Sequence, residues 1–130
     1  MFESMNIYLH AAAVLTFTVG LIHSVLGEVM VFSRLRKGSW VPTHGGNVLH
    51  QRHVRILWAS WHVVTVLGWL VAAMLWALAA EPASGLRSFL LQVIIGSTSV
   101  SSAMVLYATK ARHPGWVGLL GVAVLTYLGR

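Results

Sequence analysis

The chain has 130 residues, of which 57% are hydrophobic and only 9% are charged. A soluble domain carries about 25% charged residues because its surface faces water, so an ordinary soluble enzyme and a disordered chain are excluded. The formal net charge is +6 and cysteine is absent, which excludes disulfides and thiolate chemistry. We therefore expect one domain over residues 1–130, embedded in a lipid bilayer and not bound to nucleic acid.

Charged residues divide the chain into four apolar stretches, which we expect to be transmembrane helices. A bilayer core of about 30 Å needs about 20 helical residues, so the first three stretches are long enough and the fourth is marginal. Backbone groups in hydrocarbon must satisfy their own hydrogen bonds, and the connections are short. The sequence therefore predicts an all-α fold, an antiparallel four-helix bundle. The predicted spans are 5–33, 54–80, 86–109 and 114–130.

The basic residues predict how the spans are oriented. Seven of the nine lysines and arginines lie in or directly beside two connections, between spans one and two and between spans three and four. Positive charge stays cytoplasmic, so we expect both termini outside, in a bacterial-type inner membrane. The basic loops also suit contact with anionic lipids. These residues are Arg34, Arg36, Lys37, Arg52, Arg55, Lys110 and Arg112.

Small residues recur at helical spacing on three of the spans, and in lipid they favour close packing of helices. We interpret these faces as packing surfaces, which also permit a homo-oligomer or assembly into a larger membrane complex. The face of the first span holds Ala13, Thr16, Gly20, His23 and Gly27. The third span holds Ser88, Gln92, Gly96, Ser99 and Ala103, and the fourth holds Gly118, Gly121 and Gly129.

Two histidines lie inside predicted spans, where ionisable groups are costly and indicate function. His23 is 11 residues from Arg34 and His62 is 10 residues from Arg52, so on antiparallel helices both imidazoles are expected at nearly one depth. Two such imidazoles can ligate the iron of haem b, hold a transition-metal ion, share a proton or line a small polar cavity. Trp58 and Thr65 would then line the cofactor site. The alternative is that each histidine bonds to a neighbouring helix.

Glu28 is the carboxylate well inside a span. An ideal helix places it about 140° around from His23, so both ligate one metal ion only if the helix bends. Ser24, four residues earlier, lies on the same side as Glu28. We expect Glu28 to form an ion pair with Arg55 or Arg52 that joins the first two helices. The alternative is a proton carrier or a metal ligand at the mouth of a cavity.

Three functional hypotheses follow from these residues. The chain lacks a nucleotide-binding glycine loop, the HExxH pattern and the GxSxG pattern, which disfavours an enzyme. The leading hypothesis is a non-catalytic membrane protein with an intramembrane His/Glu site near the cytoplasmic side that binds haem or a metal ion. The second is a component of a small-solute or proton-coupled transporter or channel. The third is a structural accessory subunit of a membrane complex.

Overall fold

The computed structural model describes residues 6–130, and the regular elements of this part of the chain are all helical. After Leu26 the first helix continues through a π-helical turn and then a 3-10 turn. No strand is present among the described residues, where a single isolated bridge joins Gly45 and Leu49. The elements are α1 (Ile7–Leu26), the π-helical turn (Gly27–Val31), the 3-10 turn (Phe32–Leu35), α2 (Gln51–Leu78), α3 (Gly85–Thr109) and α4 (Gly115–Leu128).

Three helical segments are long and apolar enough to cross a membrane. They are Ile7–Leu35, Gln51–Leu78 and Gly85–Thr109, and each matches a predicted span to within a few residues. The fourth helix is shorter than a bilayer core. Its 14 residues rise only about 21 Å, whereas the core is about 30 Å thick. The all-α prediction is thus confirmed for the described residues, and the antiparallel bundle stays a prediction.

The chain divides into two compact units. One contains the described residues up to Val19 together with Trp69–Arg130, and the other is Gly20–Gly68. The first unit has an apolar core to which all four α-helices contribute. Its buried residues are Leu9, Ala12, Ala13, Leu75, Leu78, Ala79, Leu91, Ile94 and Val122.

In the first unit, glycines let α4 approach α1 closely, as expected for small residues in a membrane. A Cβ on Gly118 would lie 2.8 Å from the side chain of Val19. A Cβ on Gly121 would lie 3.0 Å from Leu15. Larger residues at these two positions would therefore push the helices apart.

The third helix buries a different face from the one expected. Gln92 and Gly96, on the predicted packing face, are exposed, and nothing lies within 4 Å of a Cβ built on Gly96. Lipid tails are as apolar as leucine, so hydropathy alone does not determine which face of α3 points inward. The inward face depends instead on how well it fits the neighbouring helix. The buried residues of α3 are Leu91, Ile94 and Ser102.

Arg87, in the first turn of α3, joins the ends of several helices in the first unit. Its Nε donates to the carbonyl of Leu78 at 3.1 Å, and its Nη2 donates to the carbonyl of Gly129 at 3.2 Å. The amide of Asn6 donates to the same Gly129 carbonyl at 2.6 Å. The last carbonyls of a helix lack partners within the helix. Arg87 and Asn6 therefore satisfy groups that the ends of α2 and α4 leave open.

Candidate functional site

Glu28 is the centre of a polar network in the second unit, and it lies within the π-helical turn. The indole Nε1 of Trp58 donates to its Oε1 at 2.6 Å, and Nε2 of His62 lies 2.9 Å from the same oxygen. The guanidinium of Arg36 pairs with the other carboxylate oxygen, Oε2. The side chain of Glu28 is 30% exposed. The carboxylate thus has partners at both oxygens, and the side chain as a whole is partly exposed.

His62 is held at both of its ring nitrogens. Nδ1 lies 2.8 Å from the hydroxyl of Ser24, while Nε2 faces Glu28. The Ser24 hydroxyl is in turn 2.8 Å from that of Thr65, which also donates to the carbonyl of Gly20 at 3.3 Å. Ser24 and Glu28 are four residues apart and hold the imidazole between them.

The hydrogen bonds around His62 can run in either direction. With Glu28 ionised, the Nε2–H group donates to the carboxylate and Nδ1 accepts from Ser24. When Nδ1 is protonated it donates to Ser24, the Ser24 hydroxyl donates to Thr65, and Thr65 donates to the Gly20 carbonyl. A hydroxyl is both donor and acceptor, so every group has a partner in both states.

His23 lies against Trp61 in this unit. The two ring centroids are 4.4 Å apart and the planes differ by 6°. The indole Nε1 of Trp61 donates to the backbone carbonyl of His23 at 3.0 Å. His62 has the hydrogen-bonding partners given above, and a site shared by the two histidines stays a prediction. Within residues 6–130, no three side chains of His, Cys, Asp or Glu are grouped closely enough to hold a metal ion.

The cation paired with Glu28 differs from those expected. Arg55 and Arg52 are exposed, and in the described part of the chain the ion pair of Glu28 is with Arg36. The reason is that the helix ends in the 3-10 turn and Arg36 itself has an extended backbone, at φ −92° and ψ 136°. Its Nε donates to the carbonyl of Trp40 at 2.7 Å, which turns the guanidinium back toward the carboxylate.

The network includes two of the predicted site residues and two residues that the sequence analysis missed. Trp58 and Thr65, which were predicted to line a cofactor site, are hydrogen-bonding partners within the network, and a cofactor beside them stays a prediction. Arg36 belongs to the basic run after the first span, which we read only as an orientation signal. Trp61 lies off the stripe of Trp58 and His62, and no pattern in the sequence marks it.

The chain matches no protein-family model, no curated protein and no solved structure. The chemistry of the network around Glu28 is therefore what indicates function.

Proposed function

We propose that the protein is a membrane-embedded component of a proton-coupled transporter, and that Glu28 and His62 together bind the coupled proton. The observation that carries the proposal is the hydrogen bond between His62 Nε2 and Glu28 Oε1, with the Ser24 hydroxyl at the other ring nitrogen. Ionisable groups inside a membrane span are costly, and they commonly form proton relays in pumps and transporters. Imidazole is also the side chain whose charge changes most readily near neutral pH.

One added proton can occupy either member of the pair. Protonation of His62 at Nδ1 gives an imidazolium that faces the Glu28 carboxylate. Transfer of the Nε2 proton to Oε1 then leaves a neutral imidazole, protonated at Nδ1, and a neutral carboxylic acid. Either way, the proton changes the total charge of the network by one while Ser24 and Thr65 reverse their hydrogen bonds. Such a change is what couples proton binding to a conformational step.

Binding of haem b or a transition-metal ion by His23 and His62 is the competing hypothesis. A metal at His62 would have to replace Ser24 at Nδ1 or Glu28 at Nε2, since both nitrogens already have partners. Proton binding requires no such replacement and is therefore the preferred function. An optical spectrum with elemental analysis of the purified protein tests the alternative, which a Soret band or a stoichiometric metal would favour.

We also propose that the chain crosses a bacterial inner membrane four times, with both termini outside. The bonds that Asn6 and Arg87 make to Gly129 bring the start of α1, the start of α3 and the end of α4 together in the first unit. This supports an even number of crossings despite the shortness of α4. The basic loops support the orientation.

Infrared difference spectroscopy tests the proton site directly. The three acidic residues of the chain are Glu3, Glu28 and Glu81, so few carboxyl bands overlap. We expect lowering the pH of lipid-reconstituted protein to produce the C=O stretch of a protonated acid. This band should disappear in Glu28→Gln and persist in the matched control Glu81→Gln. It should also change in His62→Gln, which keeps a polar side chain but cannot be protonated.

A second measurement tests coupling to transport. Proteoliposomes loaded with a pH-sensitive dye are supplied with candidate solutes, and solute-driven proton movement should be lost in Glu28→Gln and retained in Glu81→Gln. If wild-type protein shows no Glu28 carboxyl band while Glu28→Gln only lowers the melting temperature, the network is a structural connection between helices. That result would favour an accessory subunit over a transporter.

A further inference from the structure

The indole of Trp61 occupies the space that any side chain at position 27 would need. A Cβ built on Gly27 would lie 2.2 Å from Trp61 Nε1, 2.7 Å from Cε2 and 2.8 Å from Cδ1. Gly27 is buried, and it is the first residue of the π-helical turn. Nonbonded atoms do not approach this closely, so a larger residue at position 27 would displace either the indole or the helix.

Trp61 also bonds to the backbone of the first helix at this point. Its Nε1 donates to the carbonyl of His23, the carbonyl that an α-helix pairs with the amide of Gly27. A side chain inserted into this ladder of hydrogen bonds is a known cause of helix distortion. Directly afterwards, the amide of Phe32 reaches back five residues to the carbonyl of Gly27 as well as four residues to that of Glu28.

Ring packing fixes the indole in this position. Trp61 stacks on His23, and Phe32 packs against it edge-on, with ring centroids 5.7 Å apart and an angle of 84° between the planes. Phe32 is 2% exposed. The half-buried indole thus contacts two rings and the bare backbone of Gly27, so a displacement of the indole would alter contacts on both sides of the π-helical turn.

The π-helical turn determines where the carboxylate points. More residues fit into a π turn than into an α turn, so each residue rotates less about the axis and the side chains after Gly27 take new directions. π-helical turns are rare and occur frequently at functional sites. Glu28 is the second residue of this turn, and it bonds to Trp58 and His62 on α2.

We infer that Gly27 and Trp61 are positioning residues for Glu28. They keep the π-helical turn in place, and with it the carboxylate opposite Trp58 and His62. The inference rests on the proposed proton site, because it assigns a role in holding that site together. It adds two residues that neither titrate nor contact the proton.

The test uses Gly27→Ala and Trp61→Phe in the full chain, with two readouts. The first is the indole N–H resonance of Trp58, assigned with Trp58→Phe, which reports the hydrogen bond to Glu28. The second is the infrared band of the Glu28 carboxyl. Both variants should move the Trp58 resonance toward its position in Glu28→Ala and should alter the carboxyl band. The double variant should shift the Trp58 resonance little further than either single variant does, since both substitutions break the same contact between Gly27 and Trp61.

Matched controls exist elsewhere on α2. Trp69 makes the same kind of contact in the first unit, donating to the carbonyl of Phe17 at 3.3 Å and stacking on its ring at 5.2 Å. A Cβ on Gly68 would meet nothing within 4 Å. Trp69→Phe and Gly68→Ala should therefore leave the Trp58 resonance and the carboxyl band unchanged.

The outcomes separate this inference from the proposed function. A Trp58 resonance unchanged in folded Gly27→Ala or Trp61→Phe overturns the inference, even if the wild-type carboxyl band is present. Absence of that band in the wild type, with a shifted Trp58 resonance in the variants, overturns the proton function and leaves the positioning role intact. Should Gly27→Ala fail to fold, Trp61→Phe decides alone, because phenylalanine can still stack on His23.

Discussion

Arg36 forms an ion pair with Glu28, which lies eight residues earlier in the chain. The same guanidinium donates to the carbonyl of Trp40, so one side chain connects the Glu28 carboxylate to the loop before α2. In that loop the amides of Thr43 and His44 donate to the carbonyl of Leu35. Protonation of Glu28 would remove its charge and weaken the attraction to Arg36. The loop is therefore placed to respond to the state of the carboxylate.

Hydrogen exchange of the Thr43 and His44 amides measures this response. We expect Arg36→Gln to speed their exchange, while the exposed neighbour Arg34→Gln leaves it unchanged. In the wild type the protection should fall as pH is lowered and Glu28 takes up its proton. In Glu28→Gln the dependence of protection on pH should vanish. The histidines of the loop are still present in this variant, so it separates their protonation from that of Glu28. Equal protection in Arg36→Gln and wild type would show that the ion pair does not hold the loop.

The hydroxyl contact between Ser24 and Thr65 should contribute measurably to stability. Interhelical hydrogen bonds in membrane proteins average about 0.6 kcal/mol and reach about 1.7 kcal/mol. We expect Ser24→Ala and Thr65→Val to be coupled by an energy in this range. A double-mutant cycle of unfolding free energies in detergent measures it. If the two substitutions change the unfolding free energy additively, the hydrogen bond between Ser24 and Thr65 does not contribute to stability.

Arg87 should be sensitive even to replacement by lysine. Its guanidinium uses two nitrogens to reach the carbonyls of Leu78 and Gly129, and an ammonium group cannot reproduce that fork. Loss of one hydrogen bond from a charged donor suggests a cost of about 1–3 kcal/mol in Arg87→Lys. Thermal unfolding measures this, with the exposed Arg112→Lys as control. An unchanged melting temperature for Arg87→Lys would contradict the role assigned to the fork.

Reporter fusions test the proposed orientation. We expect fusions at Ala83 and after Arg130 to be active outside the cytoplasm, and a fusion near Gly45 to be active inside. The expectation follows from the concentration of basic residues in the two connections that we propose to be cytoplasmic. A cytoplasmic signal from the fusion after Arg130 would mean that the 14-residue α4 does not cross.

Much of the fold was predictable because the bilayer acts on every residue of a span in the same way. Length and hydropathy predict where Gln51–Leu78 and Gly85–Thr109 lie without any knowledge of their neighbours. The inward face of α3 was not predictable on this basis. Burial in protein and exposure to lipid are nearly equivalent for an apolar side chain, so Leu91 faces inward because of the shape of its neighbours.

At the site, the sequence by itself determined which ionisable groups lie in the apolar segments and where along the chain they occur. Glu28 and His62 stand out because an ionisable side chain in a span is costly wherever it points. Only the tertiary structure decided how they meet. A regular helix of 100° per residue has no place for the π-helical turn, which depends on Trp61 lying against Gly27 from 34 residues further along the chain. The tertiary structure also decided that Arg36, and not Arg55, is the ion-pair partner of Glu28. This partner depends on the backbone geometry at the end of the first helix, which the spacing of residues in the sequence does not specify.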